Sequence, residues 1–98
     1  DCSPITDGSA AVILASEDIA KQITDTPIWI RGIDSASASS TLTGREDYLS
    51  IPSARIAAEK VYKVVGIDDP LKYIDVAEVH DCFTIAEVVS YEDLKFAK

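Results

Sequence analysis

Apolar residues follow two rhythms along this chain, one of about two residues and one of three to four, and the rhythms mark out its elements. Ala10-Ala11-Val12-Ile13-Leu14-Ala15 is continuously apolar, as a strand buried on both faces should be. In Ile28-Trp29-Ile30-Arg31 the two isoleucines share one face and Trp29 and Arg31 the other, which predicts a second strand running on towards Ala36. Tyr73-Ile74-Asp75-Val76-Ala77-Glu78-Val79 alternates apolar with acidic residues and predicts a third. Helical spacing replaces this pattern in three places. Ser16 with Glu17 and Asp18 reads as an N-cap and an acidic first turn of a short helix reaching about Gln22. Pro52 fits the first turn of a longer helix in which Ile56, Ala57, Val61, Val64 and Val65 recur at helical intervals and Gly66 is the stop. Ile85 to Leu94 repeats the pattern as an amphipathic helix.

The order is loop, strand, short helix, strand, long loop, helix, strand, helix, which predicts an α/β fold. Such a fold needs further strands to cover both faces of its sheet, so the chain reads as a piece of a larger subunit. Asp7-Gly8 reads as a turn in which the glycine takes positive φ, Gly32 as a bulge, and Asp68-Asp69-Pro70 as a turn. Between Ser35 and Ser50 the composition shifts to Ser, Thr and charge. A connector of that length is either functional or simply solvated.

The 98 residues leave room for one small domain or part of a larger one, and 47% hydrophobic content is ordinary for a globular chain. Charge narrows the partners further. Seventeen acidic against nine basic residues give a formal net charge of −8, which opposes binding to nucleic acid or to an anionic membrane surface. No apolar run approaches the roughly 20 residues that span a bilayer, and the N-terminus lacks the regions of a signal peptide, so a soluble, cytoplasmic protein is expected. Cys2 and Cys82 have neither metal-ligand spacing nor a disulfide framework, so no metal site is expected and both read as free thiols.

His80 is the only histidine, and it stands where the third predicted strand gives way to the last helix. In open α/β sheets ligands collect beyond the carboxyl ends of strands. Around it, Val76-Ala77-Glu78-Val79-His80-Asp81-Cys82-Phe83-Thr84 forms one recognisable block, and Cys2-Ser3-Pro4-Ile5-Thr6-Asp7-Gly8-Ser9-Ala10-Ala11-Val12 forms another. In this order and separation the two blocks resemble the thiolase superfamily. His-Asp-Cys-Phe is similar to the branch of sterol-carrier-type and archaeal acetyl-CoA acetyltransferases, which carry His where most thiolases have Asn in an Asn-Glu-Ala-Phe motif. The resemblance implies a thiolase-like mixed sheet with flanking helices. Residues 1–98 would form a partial domain, made of the end of the N-terminal half and the first part of the C-terminal half.

Thiolases transfer an acyl group through a cysteine thioester and make or break a carbon–carbon bond beside a second thioester. Negative charge develops on a carbonyl oxygen, and preorganised donors must meet it. By resemblance, His80 is the catalytic residue expected here, donating from a ring nitrogen directly or through water to an oxyanion. A histidine satisfied by backbone groups is the structural alternative. Ser3 matches a family serine that contacts the pantetheine arm of coenzyme A, and a turn-stabilising serine is its alternative. Asp7 and Gly8 are expected to shape a turn, Asp81 to cap the following helix, and Phe83 to pack.

The family's acyl-accepting Cys, its Gly-His-Pro base and its second Cys in a Cys-x-Gly segment do not occur in this chain. The chain alone is therefore expected to be inactive, as a segment of an acyltransferase whose substrate is a coenzyme A thioester and which has no covalently bound cofactor. Implied partners are acyl-CoA, the remainder of the subunit, a second copy in a homo-oligomer, and, as in archaeal relatives, a condensing synthase with an OB-fold protein. The competing reading is a non-catalytic acyl-CoA-binding or complex-assembly module.

Overall fold

A computed structural model describes residues 4–45 and 47–97. Its regular elements, in chain order, are helices α1 (Glu17–Ile23), α2 (Pro52–Val65), α3 (Pro70–Tyr73) and α4 (Thr84–Asp93), with a single 3₁₀ turn at Leu42–Gly44. Three of the four helices fall where the apolar spacing predicts them. The fourth, α3, opens at Pro70 inside the predicted turn, since proline is preset for a first helical turn. Its Ile74 N–H closes on the Pro70 carbonyl at 2.9 Å.

The expected α/β mixed sheet is not found: the described residues contain no strand. The segments 10–15, 28–36 and 75–79 make no backbone–backbone hydrogen bonds among the described residues, with one another or otherwise. An apolar alternation records which side chains avoid water, whereas a strand exists only through a ladder to a partner. Gly32 is accordingly not a bulge. It is the point where segment 28–36 crosses α2, and a Cβ there would lie 2.7 Å from Val65 Cγ1 and 3.4 Å from Val61 Cγ1. Lys60 of α2 adds an ion pair to Asp34 at 3.4 Å. Nor does Gly8 take positive φ, a conformation found among the described glycines only at Gly66.

Helices α2 and α4 pack on each other, and they do so through small and polar residues. Ala58, Ser90 and Asp93 are buried, while Ile85 and Val88 on α4 and Ile56 and Val64 on α2 remain exposed. Ser90 is accommodated because its hydroxyl donates to the Ala86 carbonyl at 2.7 Å, one turn back. Both helices end with backbone in the left-handed region. At the end of α2, Gly66 (φ 74°) lets the Ile67 N–H reach the Tyr62 carbonyl at 2.8 Å. At the end of α4 the same closure joins Phe96 N–H to the Tyr91 carbonyl at 2.7 Å, but the left-handed residue is Lys95 (φ 63°). A side chain there costs about 1 kcal/mol relative to glycine.

Little apolar surface is hidden. Ala58 and Pro70 are the only buried apolar residues among those described, whereas Val12, Ile13, Leu14, Ile28, Ile30 and Ile33 are open to solvent. The accessible area is 8532 Å², against about 5,500 Å² for a compact monomer of this mass. The radius of gyration of 16.6 Å likewise exceeds the roughly 13 Å of a compact 100-residue domain. With so little burial to oppose chain entropy, the 98-residue polypeptide by itself should melt without a cooperative transition and bind the apolar dye ANS strongly. Circular dichroism on heating and dye fluorescence check this; a sharp two-state melt with no dye binding would refute it.

Candidate functional site

His80 lies on the irregular segment that leads from α3 into α4, and it is exposed. The following residues turn the chain into the helix. Phe83 has extended backbone and acts as N-cap, its carbonyl accepting the N–H groups of Ala86 at 2.8 Å and Glu87 at 3.3 Å. Two expectations for this motif need correction. Asp81 is not the N-cap of α4, because the helix starts at Thr84 and Phe83 holds the cap position, two residues beyond Asp81. Phe83 is not packed but 60% exposed. Cys82 is a half-buried free thiol. Ser3 and Cys2 lie outside the described residues.

Beneath this segment is an open apolar groove of about 320 Å³, lined by Leu71, Ile74, Val76 and Ala77 on one side and Tyr91 and Phe96 on the other. Tyr91 donates its hydroxyl to Glu87, one turn earlier on α4. That bond first, then burial and the negative charges of Glu87 and Asp81, push the phenol pKa up from its ordinary value. The phenol therefore stays protonated, and stays a donor, throughout the neutral range.

Helix α4, which supplies Tyr91 to this groove, is tied to α2 by a buried carboxylate that the hydropathy pattern does not reveal. Asp93 is 7% exposed and Ser50 5%. Ser50 Oγ donates to Asp93 Oδ1 at 2.8 Å, and the Ile51 N–H donates to Oδ2. The last residue of α4 thus satisfies the amide of the residue that caps α2. Tyr62 Oη donates to the Leu94 carbonyl at 2.8 Å across the same junction, and burial raises its pKa. Further out, Lys95 pairs with Glu59 at 3.6 Å. One sequence cue to Asp93 exists: an acid in the last turn opposes the helix dipole, so it calls for a partner elsewhere.

Comparison with known proteins gives this geometry its context. Residues 35–98 match the family described as thiolase C-terminal domain-like. The chain belongs to the thiolase family. An acetyl-CoA acetyltransferase of Methanothermobacter thermautotrophicus is 41% identical over 98 residues, covering 100% of this chain and 25% of the relative. Sterol carrier protein 2 of Gallus gallus is 33% identical over 98 residues, covering 95% of this chain and 18% of the relative. The benzoylsuccinyl-CoA thiolase subunit BbsB of Thauera aromatica is 33% identical over 95 residues, covering 95% and 24%. The chain thus spans about a quarter or less of the length of these curated thiolase relatives. No solved structure matches it. Among the described residues no helix is long and apolar enough to cross a membrane.

In a full-length thiolase subunit carrying this segment, Asp93→Ala would leave the buried Ser50 hydroxyl and the half-buried Ile51 N–H without their acceptor. A loss of about 2–4 kcal/mol of unfolding free energy is expected, and a smaller loss for Asp93→Asn, which keeps one acceptor oxygen. Urea denaturation followed by fluorescence measures both. Unchanged stability in Asp93→Ala would show that the carboxylate does not hold the two helices together.

Proposed function

We propose that this chain is a segment of a thiolase-type acyltransferase that makes or cleaves a carbon–carbon bond between acyl-CoA thioesters. His80 supplies an oxyanion-hole element and Ser3 contacts the pantetheine arm of coenzyme A. The observation that carries this reading is the exposed His80 in a His-Asp-Cys-Phe motif at the entry to α4, in a chain of the thiolase family. Exposure matters because a donor must reach the substrate, and a histidine saturated by its own backbone does not.

The chemistry asks little of the imidazole beyond placement. As the carbon–carbon bond forms or breaks, electron density moves onto the thioester oxygen, and one ring N–H donates to it directly or through a water. A donor fixed before the reaction stabilises that charge more than mobile solvent does, because it needs no reorganisation. The nucleophilic Cys and the Gly-His-Pro base would come from other parts of the subunit. The quarter-length match to the acetyl-CoA acetyltransferase and the uncovered apolar surface both support that dependence.

The exposed Ile28, Trp29, Ile30 and Ile33 also favour a second reading, in which the segment serves as an acyl-CoA-binding or complex-assembly module without chemistry. Substitution at His80 separates the two. In the full-length subunit, His80→Ala should slow thiolysis of acetoacetyl-CoA by about 10²–10³-fold, as loss of one oxyanion donor typically does. His80→Asn, which can still donate a hydrogen bond, should retain more activity. Turnover that survives both substitutions while the melting temperature falls would make His80 a structural residue and leave the module reading standing.

A further inference from the structure

The chain enters the stretch matched to the thiolase C-terminal domain-like family, residues 35–98, through segment 28–36. That segment makes no backbone–backbone hydrogen bonds among the described residues, so its seat on α2 depends on side-chain contact. The contact is made at Gly32. Helix α2 presents Val61 and Val65, four residues apart and therefore on one face, and both are half-buried while Val64 between them stays exposed. A Cβ on Gly32 would stand 2.7 Å from Val65 Cγ1, too close without displacement of one of them, but 3.4 Å from Val61 Cγ1, at the edge of ordinary van der Waals contact. Two residues on, Asp34 Oδ1 accepts from Lys60 Nζ at 3.4 Å and from the Ser35 N–H at 2.7 Å, which places an ion pair to the same helix beside the crossing.

The backbone itself does not demand glycine at 32, because its φ is not positive. Replacing a glycine in such a conformation normally stabilises a protein, since the new side chain restricts the unfolded chain. Here the neighbour forbids it. Val65 cannot step aside cheaply, because a β-branched residue in a helix holds one strongly preferred χ1. We propose that Gly32 and Val65 form a matched small–large pair, a lock that seats the incoming chain on α2 and makes the size tolerated at one position depend on the size at the other. The lock is independent of the role given to His80. It is also separate from the Asp93 junction, which joins α2 to α4.

The test is a set of single and double substitutions in the full-length subunit, read by melting temperature. Gly32→Ala should lower it by about 2–10 °C, as overpacking a filled site does, and Val65→Ala should lower it by removing packing. In the Val65→Ala background, adding Gly32→Ala should cost nothing or raise the melting temperature, because the new methyl then meets only Val61, at 3.4 Å. Val61→Ala should give no such rescue, which separates a matched pair from a general loosening of α2. If Gly32→Ala does not fold, recovery of soluble subunit on adding Val65→Ala, and not on adding Val61→Ala, is the supporting result. Losses that add in the Val65→Ala background, equal rescue by Val61→Ala, failure of either to restore soluble subunit, or an unchanged melting temperature in Gly32→Ala would overturn the lock.

Discussion

The buried Asp93 carboxylate joins the end of α4 to the start of α2, and the placement of the helix pair depends on it. Asp93 sits at the wrong end of α4 for the helix dipole and is nearly out of water, both unfavourable unless its oxygens are occupied. They are occupied by Ser50 and by the Ile51 amide, so the acid pins the end of one helix to the beginning of another, more than 40 residues earlier in sequence. Charge works in its favour on the partner's side: the start of α2 carries the positive end of that helix's dipole and has no side-chain cap of its own. No buried side-chain nitrogen or oxygen among the described residues is left without a partner.

Polar satisfaction bears more of the organisation here than apolar packing does. In most domains of this length a hydrophobic core sets helix positions and hydrogen bonds refine them. Here α2 and α4 meet through Ala58, Ser90 and Asp93, while Ile85, Val88, Ile56 and Val64 face outward. Small residues let the helix backbones approach, and the Tyr62 hydroxyl on the Leu94 carbonyl closes the junction. The apolar residues left outside are surface still to be covered. A chain matching only a quarter of the acetyl-CoA acetyltransferases it resembles is expected to carry such surface.

The same organisation explains how a motif in irregular backbone can be placed at all. His80 has no regular secondary structure of its own, but it is followed within four residues by a helix whose two ends are both determined. Phe83 caps the start through its carbonyl, and Asp93 and the left-handed Lys95 complete the end. Irregular backbone here carries the chemically distinctive residues, and the hydrogen-bonded helix pair serves as their support, the usual division between functional segments and scaffold.

The helices were legible because their information is local. Pro52 and Gly66 bracket α2, and the three- and four-residue spacings of α2 and α4 follow from the helical repeat alone. Family membership was legible too, since it rests on residue identity in two short blocks, and the match over residues 35–98 agrees with the one around His80. That the expected sheet is missing among the described residues was not legible, because apolar alternation in 10–15, 28–36 and 75–79 states a demand for burial and cannot say whether a neighbouring strand supplies it. The Asp93 clamp and the groove shared by Tyr91 and residues 74–77 escaped for a related reason. Each joins residues distant in sequence or on different elements, and a polar residue's partner is decided by where the chain brings it in three dimensions. Helix period, stop signals and motif were thus set by sequence alone, while tertiary structure decided which polar groups meet, which faces are buried, and that no strand forms among the described residues.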